Sequence, residues 1–180
     1  MSYAVIVFFD PETDAFVRRL WKGLEQVGVP NRYEIIKGRP HISLGVWDDL
    51  NEAEAIRRLP DFARRARPFA VSLAAAALLP DGDVYLIPDV TPELLHLYTE
   101  THRVFAGLGQ QPRGNCRHDC WLPHATIGYH VEPSRQLPAL DIIRKAALPL
   151  QAQVTEVGLI RFHPLVFVAC RELGPDATRA

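Results

Sequence analysis

Pro40-His41-Ile42-Ser43-Leu44 is answered later in the chain by Pro123-His124-Ala125-Thr126-Ile127. Both stretches run proline, histidine, a small or aliphatic residue, a hydroxyl residue, an aliphatic. Each predicts a short strand, in which successive side chains point to opposite faces. His41 and Ser43 then share one face while Ile42 and Leu44 point to a core, and His124 and Thr126 share a face against Ala125 and Ile127. Residues i and i+2 of a strand lie ~6.6 Å apart. A tetrahedral phosphoryl group spans that gap, bonded to imidazole at one end and hydroxyl at the other. A lone strand histidine is more often an ordinary surface residue; a matched pair specifies a candidate site.

The surroundings of the two motifs also correspond. Tyr3 to Phe9 is a continuous apolar run that predicts a strand buried on both faces. Asp10-Pro11-Glu12 supplies a cap, a first-turn proline and an acid for a helix with Phe16, Leu20, Leu24 and Val27 on its apolar stripe, closed by Gly28. Asn31 to Gly38 connects to the first motif. Asn51 caps the next helix, in which Pro60 predicts a kink or a split. Phe69 to Leu79 and Val84 to Ile87 predict a hairpin about Pro80-Asp81-Gly82-Asp83. Thr91-Pro92-Glu93 then repeats the cap, proline and acid, with Leu94, Tyr98, Phe105 and Leu108 as the stripe and Gly107 and Gly109 as the stop. Past the second motif, Ser134 is the candidate cap, Leu137 to Ala147 the helix, and Val154 to Phe162 and Leu165 to Cys170 the strands. Gly174 to Ala180 reads as a frayed tail.

These landmarks recur in order at an offset of about 82 residues, the mark of an internal duplication. The expectation is one domain, 1–180, of two halves, about 3–82 and 83–173. The fold class is α+β and bilobal: two pseudo-twofold-related, mostly antiparallel sheets with outer helices. A central groove lies between them, with the histidine strands facing each other across it.

Composition bounds the partners. With 48% hydrophobic and 23% charged residues the chain can bury a sizeable core. A net charge of −1 and a pI near 6.6 argue against a protein that coats DNA or long RNA, which presents a strongly basic face. A small anion or an oligonucleotide end fits better, and a monomer is expected. Three cysteines, Cys116, Cys120 and Cys170, make no disulfide framework. Met1 to Phe9 lacks the features of a signal peptide, and no apolar run reaches the ~18 residues of a membrane span. The expected location is the cytoplasm, with no membrane partner.

Two imidazoles across one groove allow one to act as base while the other acts as acid, because both protonation states exist near neutrality. Ser43 and Thr126 would donate to non-bridging phosphate oxygens. Ser43 lies on the same strand face as His41, better placed as a co-donor than as a nucleophile. Such chemistry requires no metal and no cofactor.

The paired His-x-Ser and His-x-Thr motifs, 83 residues apart (124 − 41) in a duplicated chain, resemble those of the two-histidine (2H) phosphoesterase superfamily. The bacterial 2′-5′ RNA ligase and 2′,3′-cyclic phosphodiesterase branch is the most similar. The resemblance covers residues from about 3 to 173. It implies a bilobal fold and metal-independent opening of cyclic phosphates, or hydrolysis or ligation at 2′-5′ linkages. It implies His41 and His124 as the catalytic pair, Ser43 and Thr126 as phosphate ligands, and a nucleotide or RNA terminus as substrate. Members that ligate RNA often carry basic residues after the second motif, whereas here Gly128-Tyr129-His130 follows Ile127. Two other functions fit the same groove: a catalytically silent nucleotide- or RNA-end-binding protein, and a hydrolase of a non-RNA cyclic phosphate such as an ADP-ribose derivative.

Other residues carry weaker signals. Arg39 shares the face of His41 and can meet an anion or lie in solvent. Tyr85, Trp121, Tyr129 and Phe162 can stack on a base or pack as ordinary aromatics. Cys116-Arg117-His118-Asp119-Cys120 has zinc-ligand residue types without a second ligand pair, and reads better as a loop over the groove. His96 and His102 do not share a helix face. Arg57, Arg58, Arg64, Arg65 and Arg67 form a solvated helix face.

Overall fold

The computed structural model of the chain describes residues 1–110, 116 and 120–174. Strand β1 (Ser2–Phe9) is apolar and buried from Tyr3 onward because both its faces are covered. Tyr3, Val5, Val7 and Phe9 enter the main core under the helices, while Ala4, Ile6 and Phe8 join Ile160 in a second cluster on the opposite face. Beside it runs β2 (His41–Asp48). The remaining strands are β3 (Phe69–Leu78), β4 (Val84–Pro88), β5 (Ala125–Gly128), β6 (Leu150–Arg161) and β7 (Val166–Glu172). All pairings are antiparallel, in the order β2-β1-β6-β3-β4-β5, with β7 added to β6.

The two sheets expected from the sequence are therefore joined into one. Strand β6, at 12 residues, is long enough to serve both arms. One edge pairs with β1 over residues 154–161; the other pairs with β3 over 150–154 and then with β7 over 156–161. The sheet curls until its edge strands β2 and β5 approach each other. Exchanging β1 with β4, β2 with β5 and β3 with β6 reverses the strand order onto itself.

The irregularities obey the same exchange. Between β1 and β2 the register steps from Val5↔Gly45 to Ile6↔Ser43, so Leu44 is an extra residue. Between β4 and β5 it steps from Val84↔Gly128 to Tyr85↔Thr126, so Ile127 is extra. A bulge sits directly after each hydroxyl residue, re-aiming the strand, and each ends on a glycine. A Cβ on Gly45 would collide with the Trp47 indole.

Helices α1 (Pro11–Gln26), α2 (Arg32–Ile35), α3 (Glu52–Arg65), α4 (Pro92–Val104) and α5 (Pro133–Arg144) complete the fold. Asp10 caps α1, its Oδ1 accepting from the backbone N–H of Glu12 at 2.9 Å and of Thr13 at 3.0 Å, while Oδ2 accepts from Gln153 N–H at 2.8 Å. That carboxylate both starts the helix and ties it to β6. The buried face of α1 is Thr13, Val17, Leu20, Trp21 and Leu24; Phe16 and Val27 of the expected stripe are half-buried.

Three local expectations are corrected. Helix α3 runs unsplit through Pro60, because the carbonyl deprived of its donor belongs to Ile56, on the exposed side. Helix α5 starts at Pro133 after Glu132, without a side-chain cap, so Ser134 lies inside it. Residues after Asn31 form the one-turn helix α2, Asn31 Oδ1 accepting from Glu34 N–H at 3.0 Å. The tail from 175 to 180 lies outside the described residues.

Helix packing is crossed between the halves: α1 lies against β5, and α4 against β2. The indole Nε1–H of Trp21 donates to the Thr126 carbonyl at 3.3 Å, and that of Trp121 to the Ser43 carbonyl at 3.2 Å. Each hydroxyl residue of a motif is thus pinned through its backbone by a tryptophan from the other half. Among the described residues no helix is long and apolar enough to cross a membrane.

Candidate active site

Curling of the sheet creates a cavity of about 520 Å³, and His41, Ser43, His124 and Thr126 all line it. All four residues singled out by the repeated motifs are therefore brought together. The volume falls in the range of small-molecule sites.

Each histidine is held in the same way. His41 Nδ1 lies 2.7 Å from the carbonyl of Arg39, and His124 Nδ1 lies 2.7 Å from the carbonyl of Leu122. A carbonyl only accepts, so Nδ1 carries the proton in both rings, and Nε2 is left as the nitrogen available to a ligand. In both cases the acceptor lies two residues back, across the proline of the motif. That proline has no N–H of its own and holds its neighbour extended, which explains why it occurs in both copies.

Burial lowers the basicity of both imidazoles. His41 is pushed down to about 4, first by desolvation and further by the nearby charges of His124 and Arg39, against a raising effect of the Arg39 carbonyl. His124 is also lowered by burial, but its carbonyl partner and the Asp83 carboxylate oppose the shift. Burial thus disfavours the imidazolium form of both rings, most strongly at His41.

Aromatic contacts brace the rings. Tyr85 stacks on His124 with centroids 3.9 Å apart and planes at 17°, and donates its hydroxyl to Asp83 Oδ2 at 3.2 Å. Tyr33 meets His41 edge-on at 5.8 Å. Its own ring is stacked on Trp21 at 5.0 Å, and its hydroxyl lies 3.0 Å from that of Tyr129. Gly38 makes room for Tyr33, since a Cβ there would approach the ring to 2.7 Å. Burial, with Tyr129 adding to it, raises the Tyr33 hydroxyl well above the ordinary phenol range, so it is a neutral hydrogen-bonding group.

Of the residues with weaker signals, Arg39 lines the cavity but is engaged: it pairs with Glu156 at 2.7 Å and lies over the Phe8 ring at 3.8 Å. Tyr85, Tyr129 and Phe162 line the cavity, whereas Trp121 stacks on Tyr98 at 4.0 Å. His102 packs against Trp47 and Tyr98. Arg57 and Arg58 pair with Glu54, and Arg64 with Asp61. Of the cysteine loop, Cys116 is buried at the cavity and contacts the Ser43 carbonyl at 3.8 Å, and Cys120 is exposed; Arg117, His118 and Asp119 lie outside the described residues. Among the described residues no group of three or more His, Cys, Asp or Glu is placed to hold a metal ion.

Tyr33, Asp83, Glu156 and the wall of Ile6, Ile160, Leu165 and Phe167 were not singled out by the sequence. Apart from Tyr33, which sits on the one-turn helix α2, their placement depends on long-range strand pairing, which no local motif encodes.

Comparison with known proteins agrees with this architecture. The chain is similar to the crystal structure of TT0787 of Thermus thermophilus, with 14% identity, 98% of this chain and 100% of that one covered, and a TM-score of 0.68. It is similar to E. coli LigT complexed with 3′-AMP, with 15% identity, 96% and 98% coverage and a TM-score of 0.64. It is also similar to LigT complexed with NADP+, at 14% identity, 96% and 97% coverage and a TM-score of 0.59. These likenesses establish a shared fold. No curated protein matches. The sequence pattern of the 2′-5′ RNA ligase superfamily matches residues 9–164, which spans both histidine motifs. The chain belongs to the 2′-5′ RNA ligase superfamily.

Proposed function

We propose that the protein is a phosphodiesterase that acts, without a metal, on 2′,3′-cyclic or 2′-5′ phosphodiesters of nucleotides or RNA ends. The observation that carries this reading is the twofold-repeated seat: two imidazoles, each with Nδ1 held by the carbonyl two residues back, and each beside a hydroxyl residue on one cavity. In hydrolysis of a cyclic phosphate, one Nε2 takes a proton from water as its oxygen bonds to phosphorus. The other imidazole, protonated, gives its proton to the departing ribose oxygen as that P–O bond breaks. The product is a phosphomonoester, and the proton pair is reset by exchange with solvent. Ser43 and Thr126 hold the non-bridging oxygens. Superfamily membership and LigT's complexes with 3′-AMP and NADP+ support a nucleotide as ligand. The same reading takes residues 1–180 as one domain of two related halves, about 3–82 and 83–173, supported by the self-reversing strand order.

The test is incubation with 2′,3′-cyclic nucleotides and 2′-5′-linked dinucleotides in EDTA, with product followed by chromatography. Turnover by the wild type that is lost in both His41→Ala and His124→Ala is expected. Nucleotide binding without turnover in the wild type would establish the silent binding protein instead. Activity confined to a cyclic ADP-ribose phosphate would move the substrate outside RNA.

A further inference from the structure

The backbone treats the two histidines alike, but the charges around them differ. The matching bulges set the equivalences: Ile6 corresponds to Tyr85, Ser43 to Thr126, and Gly45 to Gly128. Two residues before Ile6 stands Ala4, and two before Tyr85 stands Asp83. On the outer side, β1 steps from Phe8↔Glu156 to Phe9↔Val154, and β4 from Ile87↔Ala75 to Pro88↔Leu73. Glu156 thus corresponds to Ala75, and Arg39, two before His41, to Leu122, two before His124. The His41 seat has the ion pair Arg39 and Glu156 where the other has leucine and alanine, and the His124 seat has Asp83 where the other has alanine.

We propose that Arg39 and Asp83 polarise the pair, making His41 the general base and His124 the general acid in hydrolysis of a cyclic phosphate. This rests on the two-histidine reading above. Asp83 is 6% exposed. Its Oδ2 accepts from Tyr85, whose ring covers His124, and its Oδ1 accepts from the His130 backbone N–H at 2.8 Å. A carboxylate so far out of water and not neutralised by a lysine or arginine in those contacts acts at longer range than a solvated one. It favours the imidazolium form of His124. Arg39 hangs its guanidinium on Phe8 beside His41, with Glu156 offsetting part of its charge. It disfavours a second cation on His41. The field therefore runs from Arg39 to Asp83 across the reacting phosphorus, and a proton entering the site settles on His124.

Other ionisable groups do not reverse this. Around His124 stand Tyr85 from β4, Asp83 just before that strand, and His130, whose ring Nδ1 is 3.5 Å from Asp83 Oδ1, with Asp81 acting on Tyr85 from the β3–β4 turn. Around His41 stand Tyr33 from α2, Arg39 and, through it, Glu156. The phenols are neutral, and the charge of Asp81 is felt at Tyr85.

The test is NMR titration of both imidazoles in substrate-free wild type, Asp83→Asn and Arg39→Gln, beside the pH profile of kcat/KM. Wild-type His41 is expected to titrate below His124. Asp83→Asn should lower the His124 pKa by about 0.5–1 unit with His41 nearly fixed, and should move the alkaline limb of the profile to lower pH. Arg39→Gln should raise His41 and leave His124. A reversed wild-type order, an unmoved His124 in Asp83→Asn, or a uniform activity loss without a shift of either limb would overturn the assignment. If Asp83→Asn does not fold, Arg39→Gln and the wild-type order still decide it. The titrations need no turnover, so an inactive wild type would sink the phosphodiesterase reading while leaving the order of the two pKa values measured on its own.

Discussion

The wall of the cavity beside His41 and the wall beside His124 flank equivalent histidine motifs but carry unlike side chains. On the first side Ile6, Ile160, Phe162, Leu165 and Phe167 present hydrocarbon. On the second, Tyr85 and Tyr129 present hydroxyls and ring faces, and Tyr33 of α2, edge-on to His41, brings its hydroxyl to 3.0 Å from that of Tyr129. The features that place the reacting atoms are common to both: the proline, the carbonyl acceptor, the bulge after the hydroxyl residue, and the tryptophan from the opposite half. Those that decide what each histidine does are not. Position is set by imidazole and indole N–H groups that close on backbone carbonyls, and both halves keep the histidine and tryptophan that supply them; charge and wall polarity come from neighbouring side chains that differ between the halves.

The largest effect expected is loss of either imidazole. His41→Ala and His124→Ala should each lower kcat/KM for a 2′,3′-cyclic nucleotide by about 10²–10⁴-fold. A substrate with a p-nitrophenyl leaving group breaks the tie. That phenolate departs without a proton, so His124→Ala should recover much of its loss while His41→Ala should not. Equal losses on both substrates would make the two histidines functionally interchangeable.

Next come the hydroxyls. Ser43→Ala should cost ~10²-fold in kcat, in the range for removal of one donor to a developing oxyanion. Thr126→Val should cost less. The Tyr33 hydroxyl interacts with the Thr126 side chain and remains to serve the same oxygen, whereas no phenol is found in that role at Ser43 among the described contacts.

How much of this was legible in the sequence follows from range. The His-x-Ser and His-x-Thr pairs were legible because a period of two and a repeat are both local signals. The bulges at Leu44 and Ile127, each closed by a glycine, were not read from the sequence, because a register step shows only once β1 pairs with β2 and β4 with β5. Tyr33 lay in a segment that Asn31 and Gly38 made look like a plain connection, although Asn31 is an ordinary cap. Asp83 read as a turn residue because its partner Tyr85 matters only once β4 pairs with β5 and brings Tyr85 over His124. Glu156 reaches Arg39 across 117 residues, and no spacing rule finds such a pair. Ser134 looked like a cap because it reproduced the distance from His41 to Asn51; Pro133, suited to a first helical position, took precedence.

A smaller effect separates the seats by stability. His41 has a folded pKa of about 4 against ~6.5 unfolded, so between those values the unfolded chain binds more protons and stability rises with pH. Lowering the pH from 7 to about 4 should cost about 3 kcal/mol through His41. His124 adds in the same direction but less, because Asp83 holds it up. Urea titrations at both pH values should show the acid loss reduced more by His41→Asn than by His124→Asn. The reverse ranking would contradict the desolvation order.

The smallest effect concerns the tryptophans that pin the two motifs from opposite halves. Trp21→Phe and Trp121→Phe remove equivalent N–H donors, to the carbonyls of Thr126 and Ser43. Each leaves a carbonyl short of a partner, worth about 1 kcal/mol. The packing differs. Trp21 is 2% exposed and stacked on Tyr33, so the smaller ring leaves a void that adds about 1 kcal/mol. Trp121 is half-buried and stacked on Tyr98, where water can fill the space and satisfy the carbonyl. Thermal unfolding should therefore rank Trp21→Phe below Trp121→Phe. Activity should show both replacements acting through KM and kcat together, since a loosened strand misplaces histidine and hydroxyl alike. Equal destabilisation would mean that the hydrogen bonds alone, and not the aromatic stacks behind them, hold the two motifs in register.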